Sequence, residues 1–116
     1  MPALYDRKQR RHILLERSPL RIGRHADNDL VLLGREISRQ HCELRKDLFG
    51  NWFIKQLGSR DAEQQAYNLT FVKRSDKIIE IRPGRKGLRL QDADEIAVGI
   101  KRQDSEPDFR FKYVIA

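Results

Sequence analysis

The 116-residue chain has a single cysteine, Cys42, so it can form neither an internal disulfide nor a cysteine-rich metal site. A lone thiol suits a reducing compartment. The chain also has no apolar run of the ~18 residues that a membrane-crossing helix needs. Its first residues, Met-Pro-Ala-Leu-Tyr-Asp-Arg-Lys-Gln-Arg-Arg-His, contain no apolar stretch that could serve as a signal peptide. The expectation is a soluble, cytoplasmic (intracellular) protein with no membrane partner. Catalytic signatures are missing too: there is no Gly-x-Ser-x-Gly elbow, no P-loop and no metal-ligand spacing. His12, His25 and His41 are scattered. Ser38 and His41 lie close together and His41 adjoins Cys42, but neighbouring strand residues face opposite ways, which separates the latter pair. The chain is therefore expected not to be an enzyme and to carry no cofactor and no metal. Cys42 reads as a small buried hydrophobe.

Charge is what the chain has in quantity. Lys and Arg number 24 against 17 Asp and Glu, a formal net charge of +7, and 35% of residues are charged against 39% hydrophobic. That composition fills one modest core and not two, so residues 1–116 read as a single domain. The Met-Pro start and the end within a strand are consistent with a fragment of a larger protein. A basic balance invites nucleic acid. However, Phe49, Trp52 and Tyr67 form no evident stacking platform with interleaved cations, so nucleic acid is the lesser reading. An acidic or phosphorylated protein ligand suits the same charge. The cluster Arg7-Lys8-Gln9-Arg10-Arg11-His12 reads equally as a basic arm or as a solvated strand edge.

The local pattern is that of strands. Alternation or short apolar runs mark His12–Leu15, Leu20–Arg24, Leu30–Leu33, His41–Lys46, Trp52–Leu57, Asn68–Lys73, Lys77–Arg82, Leu88–Leu90, Glu95–Val98 and a final strand from Phe109 to Ile115. Between them lie turn residues: Ser18-Pro19, Ala26-Asp27-Asn28-Asp29, Phe49-Gly50-Asn51, Pro83-Gly84 and Gln91-Asp92-Ala93-Asp94. The polar stretch 58–66 fits a long loop or a short helix near 61–66. Helix-period segments longer than a few turns are absent. The fold class this implies is an all-β sandwich of roughly ten short strands in two antiparallel or mixed sheets.

Leu20–Glu43 concentrates the chemistry. Arg24 and Arg39 each offer a planar fork of donors that can take two oxygens of one anion. Ser38 adds a hydroxyl donor, and turn backbone N–H groups can complete a cradle. A phosphothreonine, with nearly two negative charges and three strong acceptor oxygens, suits such a set.

The order of four motifs resembles the forkhead-associated (FHA) domain. These are Gly23-Arg24, then Ser38-Arg39-Gln40-His41, then Leu57-Gly58-Ser59-Arg60, then Leu90-Gln91-Asp92-Ala93-Asp94-Glu95-Ile96-Ala97-Val98-Gly99. The resemblance implies a sandwich of about eleven strands (SMAD/FHA-like) whose loops at one end bind phosphothreonine peptides. Its implied contacts are Arg24 and Ser38 to phosphate, with Arg39 beside them and Ser59 and Arg60 in the third loop. Gly23 and His41 would support the loops. The pattern expects Asn-Gly after Ser59-Arg60, where this chain has Asp61-Ala62; Asn68-Leu69-Thr70-Phe71-Val72 matches further on. Either 61–67 is an insertion and Asn68 holds the ligand backbone, or Asp61 occupies that place. Glu36, two before the serine, implies repulsion of an acid at the third ligand residue after the phosphothreonine. The partner implied is a threonine-phosphorylated protein or peptide, and indirectly a Ser/Thr kinase. The alternative keeps the fold but uses it as a phospho-independent interaction or oligomerisation module.

Overall fold

The computed structural model describes residues 1–34, 37–57, 69–84, 86–100 and 109–115. These form eleven strands and, among the described residues, no helix. In order they are β1 (Ala3–Asp6), β2 (Arg11–Leu14), β3 (Leu20–Gly23), β4 (Leu30–Val31), β5 (Cys42–Lys46), β6 (Trp52–Gln56), β7 (Leu69–Arg74), β8 (Lys77–Ile81), β9 (Leu88–Arg89), β10 (Glu95–Ile100) and β11 (Phe109–Val114). The strands make two sheets, β2-β1-β11-β10-β7-β8 and β4-β3-β5-β6-β9. All pairings are antiparallel except β3 with β4. The all-β sandwich expected from alternation is what forms.

The period of two decides which side chains meet. In β6, Trp52, Ile54 and Gln56 are buried, whereas Lys55 between them is exposed. In β11, Phe111 and Tyr113 point inward and Lys112 outward. The inner faces join in one core around Leu4, Ile22, Leu44, Trp52, Ile54, Val72, Ile96, Val98 and Phe111. Burying each such side chain contributes about 1.5–3 kcal/mol. Thr70 of β7 is fully buried beside this core and donates its hydroxyl to Gln56 Oε1 of β6, a polar tie between the sheets.

Turn chemistry fixes the registers. The Asp47 carboxylate accepts the N–H groups of Phe49 (2.9 Å) and Asn51 (2.8 Å), and Gly50 takes φ +83°, closing the β5–β6 hairpin. Ser75-Asp76 is a two-residue link with Ser75 at φ +54° that sets Arg74 opposite Lys77.

Three differences from the sequence pattern stand out. Ala3–Asp6, too short to show a period, is a strand because β11 and β2 pair with it on either side. The strand expected at His12–Leu15 is shifted back by one residue, which leaves Leu15 outside the ladder and in the core. The run Leu30–Leu33 pairs only at Leu30 and Val31. The expected short helix at 61–66 lies outside the described residues.

Registers also decide which connections share an end. The start of β5 meets the end of β3, the end of β1 meets the start of β11, and Gly34 ahead of β5 packs against Phe109 at the start of β11. The β1–β2 turn (7–10), the β3–β4 loop (24–29) and the β4–β5 connection therefore emerge from one end of the sandwich.

Candidate functional site

Arg24, Ser38, Arg39 and His41 come from two loops at that end, and backbone hydrogen bonds stitch the loops into one surface. Arg24 N donates to Ser38 O (2.9 Å), His25 N to Arg39 O (3.2 Å) and His41 N to Ile22 O (2.9 Å). The stitching requires close approach. A Cβ on Gly23 would collide with the Arg39 carbonyl and stand 2.8 Å from Asn28 Nδ2. Gly23 is thus needed for space, not for an unusual φ.

Asn28, buried in the turn, completes the join: its Nδ2 donates to His25 O (2.8 Å) and to Arg39 O (2.7 Å). Asp29 holds the far side of the same turn by accepting Arg21 N (2.8 Å). The sequence shows both as turn formers that close on their own backbone. It gives no sign that Asn28 also reaches a residue eleven positions away, and only the general preference of Asn for such turns pointed to it.

His41 is fully buried, and its Nδ1 accepts the Ser38 N–H (3.1 Å), which sets the ring in its neutral form as an acceptor at that nitrogen. Its own carbonyl accepts Leu57 N (3.0 Å), linking the loop to the end of β6. Ser38 is half-buried, while Arg24 and Arg39 are exposed. Among the described residues, neither guanidinium has a hydrogen bond or an ion pair. Two charged forks without partners, on a backbone frame held by at least five hydrogen bonds, can grip a doubly charged tetrahedral anion. Ser59, Arg60 and Asn68, and the competing Asp61 and Glu36, lie outside the described residues.

The Cys42 thiol is fully buried, and burial first, then the nearby Glu43 carboxylate, pushes its pKa up to about 12 despite a hydrogen bond with Thr70. It therefore stays protonated and is no nucleophile at neutral pH.

The fourth motif lies at the opposite end. Asp94 is buried to 1% exposure and takes Arg74 in a two-point pair, Nε to Oδ1 at 2.9 Å and Nη2 to Oδ2 at 2.8 Å. It also accepts Gln91 N (2.8 Å). Ala93 stands before it at φ +72°, in the left-handed region. This motif orders a turn remote from Arg24 and Ser38.

Comparison with known proteins places these features in a family. The FHA domain model matches residues 20–99. No curated protein matches the chain by sequence. Among solved structures, Mycobacterium tuberculosis EmbR in complex with a low-affinity phosphopeptide is similar, at 27% identity and TM-score 0.66. That match covers 99% of this chain and 24% of EmbR, so the chain spans about a quarter of that protein. The N-terminal FHA domain of S. cerevisiae Rad53p in complex with a phosphothreonine peptide has TM-score 0.71 at 15% identity, covering 99% of this chain and 93% of that one. The FHA domain of an Arabidopsis thaliana hypothetical protein has TM-score 0.70 at 21% identity, covering 99% and 85%.

Proposed function

Because the chain belongs to the forkhead-associated family, we propose that residues 1–116 form one phosphothreonine-dependent interaction module that docks a threonine-phosphorylated segment of a partner protein. FHA domains are interaction modules and not enzymes, and this reading assigns the chain binding without catalysis. Arg24 and Ser38 take the phosphate, with Arg39 beside them and His41 and Gly23 holding the frame. Ser59, Arg60 and Asn68 complete the contact to the ligand backbone. The observation that carries the reading is the pair of guanidinium groups, Arg24 and Arg39, without partners among the described residues, on loops locked together through Ser38 O, Arg39 O and Asn28. In this reading a Ser/Thr kinase writes the signal. The lone, inert Cys42 suits a reducing intracellular setting. Among the described residues, no helix is long and apolar enough to cross a membrane.

The test is fluorescence polarisation or calorimetry with a degenerate phosphothreonine peptide library, beside phosphoserine and unphosphorylated versions. Binding confined to phosphothreonine, lost in Arg24→Ala and Ser38→Ala with the fold intact, supports the reading. Equal binding of phosphorylated and bare peptides refutes it and favours the phospho-independent module.

A further inference from the structure

The cluster at 7–12 has a defined place in the fold. Asp6, buried at the end of β1, accepts Lys8 N (3.0 Å) and Gln9 N (3.2 Å) through Oδ1, and Arg10 takes φ +53°. The result is a tight turn at the same end of the sandwich as Arg24 and Ser38. Its four cations are not equivalent. Arg7 is paired with Glu95 (3.0 Å) and Arg11 approaches Asp6 (3.7 Å). Arg10 has no partner among the described residues. The Lys8 ammonium sits 5.3 Å over the Phe109 ring. A ring holds an ammonium in place without cancelling its charge, so Lys8 is positioned yet still able to attract an anion.

Phe109 joins this turn to the phosphate loops. Its Cε2 lies 3.2 Å from where a Cβ on Gly34 would stand, and Gly34 O accepts Ile37 N (3.2 Å) one residue before Ser38. Contacts therefore run from the Ser38 loop through Gly34 and Phe109 to Lys8 across this end of the sandwich.

We propose that Lys8 and Arg10 form a second anion subsite, which favours a phosphothreonine ligand carrying further negative charge on one side of the phosphothreonine. The inference rests on the phosphopeptide reading above and adds a specificity to it. The shared chemistry is an anion within the same peptide, supplied by an Asp or Glu side chain or by a second phosphate.

The experiment takes a phosphothreonine peptide selected by the library and moves an Asp, and separately a phosphoserine, through the six positions on each side, with Ala as the neutral reference. Wild type is compared with Lys8→Met/Arg10→Gly. Met keeps an aliphatic cover on Phe109, and Gly suits the positive φ. The expected result is one block of positions where Asp tightens Kd about threefold to tenfold at low salt and phosphoserine tightens it more, with the gain shrinking as salt rises. In the double variant the gain disappears while affinity for the Ala reference peptide stays unchanged and Tm does not fall. Lys77→Ala, at the opposite end, leaves the scan as in wild type. A gain from phosphoserine alone identifies a second phosphate as the source; a gain from both identifies anions in general. A flat scan in a domain that still binds the reference peptide overturns the subsite and leaves the phosphothreonine site standing. A gain that survives the double variant also overturns it. Capture of DNA regardless of threonine phosphorylation overturns it in favour of a general polyanion surface. If no phosphothreonine peptide binds at all, site and subsite fall together.

Discussion

Replacing Asn28 by alanine removes one side-chain nitrogen that serves two loops. In the native turn Nδ2 donates to His25 O at 2.8 Å and to Arg39 O at 2.7 Å. Both carbonyls keep a backbone donor after the change, since His25 O still accepts Asn28 N and Arg39 O still accepts His25 N. The loss is therefore two hydrogen bonds without a newly orphaned acceptor, about 1–3 kcal/mol in all. For a domain of this size that lowers Tm by roughly 4–12 °C. Because the same nitrogen couples the loop carrying Arg24 to the loop carrying Ser38 and Arg39, phosphopeptide affinity should fall beyond what the small loss of folded fraction explains. Asn28→Asp sharpens the reasoning. It keeps the shape but sets a carboxylate oxygen against two carbonyl oxygens, which repel it. The expected order of stability is wild type, then Ala, then Asp, read by thermal unfolding, with phosphopeptide Kd weakening in the same order. An Asp variant as stable as wild type, or an Ala variant that binds and melts unchanged, would refute the view that this amide holds the loops together.

Three further outcomes follow from the remote turn and the core. Ala93→Gly should stabilise the domain by about 0.5–1 kcal/mol, since a left-handed alanine costs about 1–2 kcal/mol and glycine returns part of that as unfolded-chain entropy; chemical denaturation measures it. Arg74→Ala should cost about 3–5 kcal/mol, because it strands the buried Asp94 carboxylate, and Arg74→Lys should recover only part of this, lacking the two-point fork. Cys42 should resist alkylation at pH 8 in the folded protein and react once unfolded. Its pKa is raised by folding to about 12 from the ordinary value of 9.0. The unfolded state therefore releases this proton first, and the contribution of Cys42, present in full below about pH 9, declines as pH rises toward 12. Comparing the alkaline slope of stability in wild type and Cys42→Ala isolates that contribution.

Much of the fold was legible in the chain because local alternation and turn residues agree. The hairpin around Phe49-Gly50-Asn51, the β7–β8 pair and the final strand all appear where the pattern puts them. Elements that depend on a distant partner were not legible. Ala3–Asp6 is a strand only between β2 and β11. Glu43 sits within an alternating strand as though solvated, yet it is buried on the face between Arg21 (3.7 Å) and Arg45 (2.7 Å). Nothing local joins Arg74 to Asp94, twenty residues apart. At the site, residue type and order single out Arg24, Ser38 and Arg39. The frame beneath them, through Asn28 and the His41 Nδ1 bond to Ser38 N, is a property of three-dimensional proximity.

The polar tie between the sheets has a further consequence. Thr70 is the only threonine in the chain, and its hydroxyl is sealed in the interior against Gln56. A kinase cannot reach it without unfolding the domain. In the phosphothreonine reading, these 116 residues thus receive a mark that they cannot themselves display. Copies therefore cannot chain together through threonine marks on these residues, and the marked segment must come from elsewhere.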